Sequence, residues 1–202
     1  MARVSLLIMA GGRGSRLGGV RKPLVQVGGR TILQRILDQL GPLADERLAL
    51  VHDEELEAPD GLRMVVDVRE YAGPLPAAAH ALTSVNGDLC ILVAGDMPFV
   101  SREVFRYMLQ LQAREAARVV VPLVDGHIES MHAVFRRQDL SDALKTAQRE
   151  GEQRLFKVFE SLDPRIVEEA ELRSFDPELH TLFNVNSPED LALAEELAAA
   201  ER

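Results

Sequence analysis

Five short apolar runs, VSLLIM (4–9), RLALV (47–51), RMVVD (63–67), LCILVAG (89–95) and RVVVPLV (118–124), alternate with longer amphipathic stretches. None shows the in-and-out alternation of a strand with one wet face. Continuous apolarity is what a strand needs when both its faces are covered, and strands separated by helical stretches run parallel. The expectation is an α/β chain with three layers, α/β/α, around a mostly parallel twisted sheet. At 202 residues this fits one domain, 1–202, large enough to bury a core without disulfides.

The helices announce their starts chemically. TILQRILDQL opens with Thr31 and Gln34 at capping-box spacing, GPLPAAAHAL has proline in its first turn, and Ser101 caps SREVFRYMLQLQAREA. In SPEDLALAEELAAA, Ser187 is the cap, Pro188 takes the first position, and Glu189 and Asp190 suit the positive end of the dipole. Between about 125 and 185 the pattern predicts a strand at HAVFR, helices near 138–149 and 153–162, and a loop-rich return to LFNVN.

Charge is distributed unevenly. The chain carries 23 basic and 32 acidic residues, yet Arg3, Arg13, Arg16, Arg21, Lys22, Arg30 and Arg35 precede the first acid, Asp38. A net charge of −9 argues against a general nucleic-acid or anionic-membrane binder, which needs a broad basic face. A local anion site near the start remains. No run approaches the ~18 apolar residues of a membrane span, and the single cysteine, Cys90, inside a buried-strand pattern, fits a reducing compartment. The expected location is cytoplasmic.

The basic residues surround a glycine-rich stretch directly after the first run. Glycine lets backbone N–H groups approach a phosphate. The glycines at 12, 14 and 18 miss the dinucleotide GxGxxG spacing by one residue, and the next helix begins only near Thr31, so a dinucleotide-dependent oxidoreductase is excluded. No GK[ST] follows, which excludes a Walker A loop. Pro23 and Gly28-Gly29 place these glycines in a long loop. Guanidinium and ammonium groups at 13, 16, 21 and 22 suit a triphosphate.

Phosphoryl chemistry on such a ligand needs a cation, and Mg²⁺ takes carboxylate oxygens, waters and phosphates. Asp96 in LCILVAGDMPF follows a buried run and precedes Pro98, at the carboxyl edge of the sheet; its alternative is a loop cap. Asp67 ends RMVVD, where a carboxylate could accept from a nucleotide's N–H donors or equally cap the helix at Pro74. His52 follows LALV and reads equally as an ordinary exposed histidine. By composition His132 reads as structural, and Arg154 and Lys157 as solvated helix charges.

LLIMAGGRGSRLGGVRKPLVQVGGRTIL resembles the opening of nucleotidyltransferases that move a nucleoside monophosphate from an NTP to a phosphorylated acceptor, with Met9 where leucine or alanine is usual. The paired Gly18-Gly19 before Lys22 is similar to the molybdenum cofactor guanylyltransferases, although Arg21 stands where they usually carry aspartate. GHIESMHAVF, REGEQRLFKVF and FNVNSPEDL resemble later stretches of the same family, with Ser130 in place of a usual proline.

The resemblance implies a Rossmann-like nucleotidyltransferase fold, with a nucleotide-binding half at about 1–100 and an acceptor-binding half at about 101–202. The implied reaction moves GMP from GTP to the terminal phosphate of molybdopterin or the molybdenum cofactor, with Mg²⁺ and release of pyrophosphate. It assigns Arg16, Lys22 and Asp96 to catalysis. Ala10, Gly11, Gly12, Arg13, Lys22, His52, Asp67 and Asp96 bind the nucleotide; Asp96 and Asn186 bind the metal. Ser130, His132, Arg154 and Asn184 bind the acceptor. Molybdoenzymes or other cofactor-biosynthesis proteins are implied partners. A cobinamide-phosphate guanylyltransferase, a molybdopterin cytidylyltransferase and a non-catalytic nucleotide-binding or cofactor-delivery module remain open alternatives.

Overall fold

The computed structural model describes residues 2–11, 24–52, 57–67 and 73–200. Its central sheet has the order β10-β7-β9-β6-β1-β4-β5. These strands are β1 (Val4–Met9), β4 (Glu46–Val51), β5 (Arg63–Val66), β6 (Leu89–Ala94), β7 (Val119–Val124), β9 (His132–Arg136) and β10 (Arg165–Glu168), with the short β8 (His127–Ile128) paired to β7. β1 lies between β4 and β6 and is parallel to both, as are β4 to β5 and β7 to β10. β9 runs against β6 and β7, so the sheet is mixed but mostly parallel.

Successive residues of β1 show why its run is apolar from Leu6 onward. Leu6 and Ile8 belong to one core, with α1 (Ile32–Leu40), α3 (Arg102–Glu115) and α7 (Pro188–Ala200). Leu7 belongs to the other, with α2 (Pro74–Thr83), α4 (Arg137–Glu150) and α5 (Leu155–Glu160). A strand covered on both faces has no wet side, and its one polar side chain, Ser5, is buried with Oγ donating to Glu46 at 2.7 Å. The expected α/β/α layering is what forms.

The caps are where the sequence places them. Thr31 and Gln34 form the capping box of α1, and Ser101 Oγ accepts from Val104 N. Asp190 N donates to Ser187 Oγ at 3.1 Å, while Asp190 Oδ2 accepts from Ser187 N at 2.8 Å. Two features differ from expectation. Gly28-Gly29 turns a hairpin of β2 (Gln26–Val27) and β3 (Arg30–Thr31), with φ of 61° and 79°, a conformation glycine adopts at little cost. Gly28 N donates to Glu195 and so ties the hairpin to α7. Beyond residue 160, β10 and α6 (Glu169–Arg173) replace the expected loop. Among the described residues, no helix is long and apolar enough to cross a membrane.

Candidate active site

Strand ends meet at the carboxyl edge of the parallel strands and hold one another. Ala10 N donates to Leu50 O at 2.9 Å, Gly95 N to Met9 O at 2.9 Å, and Asp67 N to Val51 O at 2.7 Å. Ala94 N reaches Met131 O at 3.1 Å, and Val185 N reaches Asp96 O at 2.9 Å. These backbone bonds join the segments after β1, β5 and β6 to the turn before β9 and the asparagine segment before α7. A cleft of about 540 Å³ opens above them.

Close packing sets its floor. A Cβ on Gly95 would stand 2.7 Å from Ala10 Cα, and one on Gly11 would stand 2.7 Å from His52 Nε2. At Gly95 the neighbour is backbone, which has little room to give, whereas at Gly11 the His52 ring would have to move. His52 is anchored through Nδ1, 3.0 Å from Asp67 O. A carbonyl only accepts, so Nδ1 carries the proton and Nε2 is the ring nitrogen turned to Gly11.

Of the residues expected to bind nucleotide, Ala10, Gly11, His52, Asp67 and Asp96 all line this cleft. Gly12, Arg13, Arg16 and Lys22 lie outside the described residues. Asn184 and Asn186 line the same cleft, brought there across the sheet from more than 80 residues beyond Asp96. Asp96 and Asn186 offer a carboxylate and an amide oxygen, hard donors of the kind Mg²⁺ takes while keeping waters and phosphates in its other positions. Among the described residues no cluster of three or more His, Cys, Asp or Glu forms. The donor set thus fits a cation shared with a substrate's phosphates.

The acceptor residues expected from the resemblance are not gathered in the same way. His132 requires a correction: it is completely buried, with its ring 4.2 Å from that of Phe105 and Nε2 3.5 Å from Thr181 Oγ1. Burial pushes its pKa down to about 3. β9 starts at His132, opposite Val93 of β6, which turns the side chain into the core and closes it to direct contact with an acceptor. Ser130 sits in the turn, its N–H bonded to Ile128 O at 3.0 Å, and is not part of the cleft lining. Arg154 stands exposed before α5, outside the lining, with Nε and Nη2 each 2.9 Å from Glu152.

In their place, Glu129 and Met131 line the cleft from the same turn. Glu129 is half-buried, its carboxyl makes no hydrogen bond among the described residues, and burial raises its pKa. Sequence reasoning passed over it, although it lies next to Ser130; burial in a turn has no local signature. His80 was also missed. It lies on α2 with Nδ1 3.3 Å from Asp67 Oδ1.

Ala10 and Gly11 after one buried strand share a cleft with a carboxylate that follows another, at the open edge of the parallel strands, an arrangement suited to nucleotide phosphates, and the sequence comparison agrees. Residues 6–166 match the MobA-like NTP transferase domain, so the chain is a nucleotidyltransferase. A Methanosarcina acetivorans protein named "Probable molybdenum cofactor guanylyltransferase" is 36% identical over 197 residues, covering 93% of this chain and 88% of that protein. The chain belongs to the molybdenum cofactor guanylyltransferase family.

Solved structures agree. Molybdopterin-guanine dinucleotide biosynthesis protein A from Archaeoglobus fulgidus matches with a TM-score of 0.79 at 25% identity, over 97% of this chain and 99% of that one. 2-C-methyl-D-erythritol 4-phosphate cytidylyltransferase from Thermus thermophilus matches at 0.72, also at 25% identity, over 98% and 99%. The fold is therefore shared with an enzyme named for another base and another acceptor.

Proposed function

We propose that the cleft transfers GMP from GTP to the terminal phosphate of molybdopterin or the molybdenum cofactor. An acceptor phosphate oxygen attacks the α-phosphorus of GTP, the bond from that phosphorus to the β-phosphate bridge breaks, and pyrophosphate leaves. No protein nucleophile is required; positioning and charge stabilisation carry the rate. The observation that supports this most directly is the convergence of Ala10–Gly11, Asp96 and Asn186 on one cleft.

In this reading the backbone at 10–12 cradles base and phosphate, and Arg13, Arg16 and Lys22 neutralise the triphosphate. Asp96 and Asn186 hold Mg²⁺, which when bound offsets charge on the reacting phosphates. His52 stands against Gly11 on the nucleotide side. Asp67, an acceptor-only side chain, matches the adjacent N1–H and N2–H₂ donors of guanine. Cytosine presents one donor and two acceptors on the corresponding edge, so Asp67 favours the guanylyl reaction over the cytidylyl one. On the acceptor side Asn184 and Glu129 face the pterin, while Arg154 and Ser130 stand further out as phosphate contacts. GTP and the pterin cofactor are the substrates, with no nucleic acid or membrane involved. The single buried Cys90 suits a cytoplasmic enzyme.

Pyrophosphate release, measured with each NTP and Mg²⁺ with and without molybdopterin, tests this. GTP-specific release that requires the pterin is expected. Asp96→Ala should lower turnover about 10²- to 10³-fold while the protein remains folded; a nearly active variant would remove Asp96 from the metal site. Nucleotide binding without any release would instead favour the cofactor-delivery module.

A further inference from the structure

Among the described residues Asp67 is the deepest charged group of the cleft, with 4% of its side chain exposed. Its backbone is fixed by the bond from Asp67 N to Val51 O at 2.7 Å, which continues the β4–β5 pairing by one residue. A buried carboxylate is costly unless hydrogen-bonded. The structure supplies a partner from a different layer.

Pro74 and Ala77 of α2 line the cleft, and His80 lies one turn further along the same helical stripe. Leu75, Ala78, Ala81 and Leu82 bury the adjoining stripe in the core and so fix the helix's rotation. His80 is thereby carried to Asp67, its Nδ1 at 3.3 Å from Oδ1 and its side chain 23% exposed. Since the carboxylate only accepts, Nδ1 is the donor. A carboxylate accepts about four hydrogen bonds, so this one is compatible with a bidentate contact to a base edge.

We propose that His80 is a positioning residue for base selection: its Nδ1–H orients the Asp67 carboxylate toward the N1–H and N2–H₂ donors of guanine. The proposal rests on the base-reading role given to Asp67 above. His80 itself does not contact the nucleotide. Its influence falls on the preference for a purine that carries the 2-amino group, and inosine triphosphate, which lacks only that group, is the matched probe.

The test is calorimetric affinity for GTP and ITP with Mg²⁺, on the full chain and on His80→Ala, His80→Asn, Asp67→Asn and the His80→Ala/Asp67→Asn double variant. Alanine suits a helix and the site is partly exposed, so His80→Ala should fold; asparagine places an amide donor near the position of Nδ1. The wild type should prefer GTP, and Asp67→Asn should erase that preference. His80→Ala should reduce it about tenfold, the scale of one hydrogen bond to a charged group. Its ITP affinity should fall less than its GTP affinity, since ITP keeps only the N1–H contact, His80→Asn should restore most of the ratio, and the double variant should match Asp67→Asn alone. An unchanged GTP-to-ITP ratio in His80→Ala, equal weakening of both nucleotides, or full additivity in the double variant would overturn the proposal while leaving Asp67 as the base reader. A wild type or Asp67→Asn that shows no role for the 2-amino group would overturn both.

Discussion

Acid should destabilise this chain through a ring buried in its core. His132 is completely buried against Phe105, its Nδ1 has no hydrogen-bond partner among the described residues, and burial holds its pKa near about 3. In the unfolded chain the same imidazole titrates near about 6.5. Between those values the unfolded state binds a proton that the folded state refuses, so stability falls as pH falls. Above about pH 7 both states are neutral and the residue contributes nothing to the pH dependence. Each unit below about 6.5 costs about 1.4 kcal/mol, which makes roughly 2 kcal/mol at pH 5 and about 3 kcal/mol at pH 4. Replacing His132 with leucine changes the packing by an amount that does not depend on pH, but it abolishes this slope. Urea unfolding at pH 7.5 and pH 5 on both proteins isolates the effect as a difference of differences. The wild type should lose about 2 kcal/mol more than the variant over that interval. Parallel losses would refute the reasoning, because they would mean that the folded protein accommodates the charged ring.

Two further outcomes follow from the packing of β1 and β6. Gly95→Ala forces a methyl within 2.7 Å of Ala10 Cα and 3.0 Å of Met9 O, both parts of the cleft floor. It should cost about 1–3 kcal/mol in denaturant melts and weaken nucleotide binding in the same protein; full stability with unchanged GTP affinity would show that the floor yields easily. Cys90 is completely buried and its thiol is pushed up to about 12 by burial. Alkylation at pH 8 should therefore proceed only as fast as the protein opens, and prompt labelling of the native chain would contradict its place in the sheet.

Much of this architecture is local and was legible. A continuous apolar run needs two covered faces wherever it lies, so β1, β4, β6 and β7 were readable one at a time. Caps are equally local: Thr31 with Gln34 and Ser187 with Asp190 satisfy N–H groups within four residues of themselves. Asp96 was visible because the end of a buried strand leaves its next polar residue at the sheet edge. β10 escaped because its short RIVE segment carries only two apolar residues, and its pairing with Val120–Leu123 comes from over forty residues away. The Gly28-Gly29 hairpin was read as loop, since a two-residue strand has no periodicity to detect.

The sequence by itself determined that this is a layered α/β chain with a carboxylate directly after a buried strand, because strand apolarity, helix caps and motif spacing act over a few residues. Tertiary structure alone decided which side chains share the cleft. The antiparallel return of β9 buries His132 and leaves Glu129 in the lining, the bond from Val185 to Asp96 brings the asparagines across the sheet, and the packing of α2 sets His80 against Asp67. Those placements depend on strand register and helix rotation, which are fixed by contacts between residues far apart in the chain.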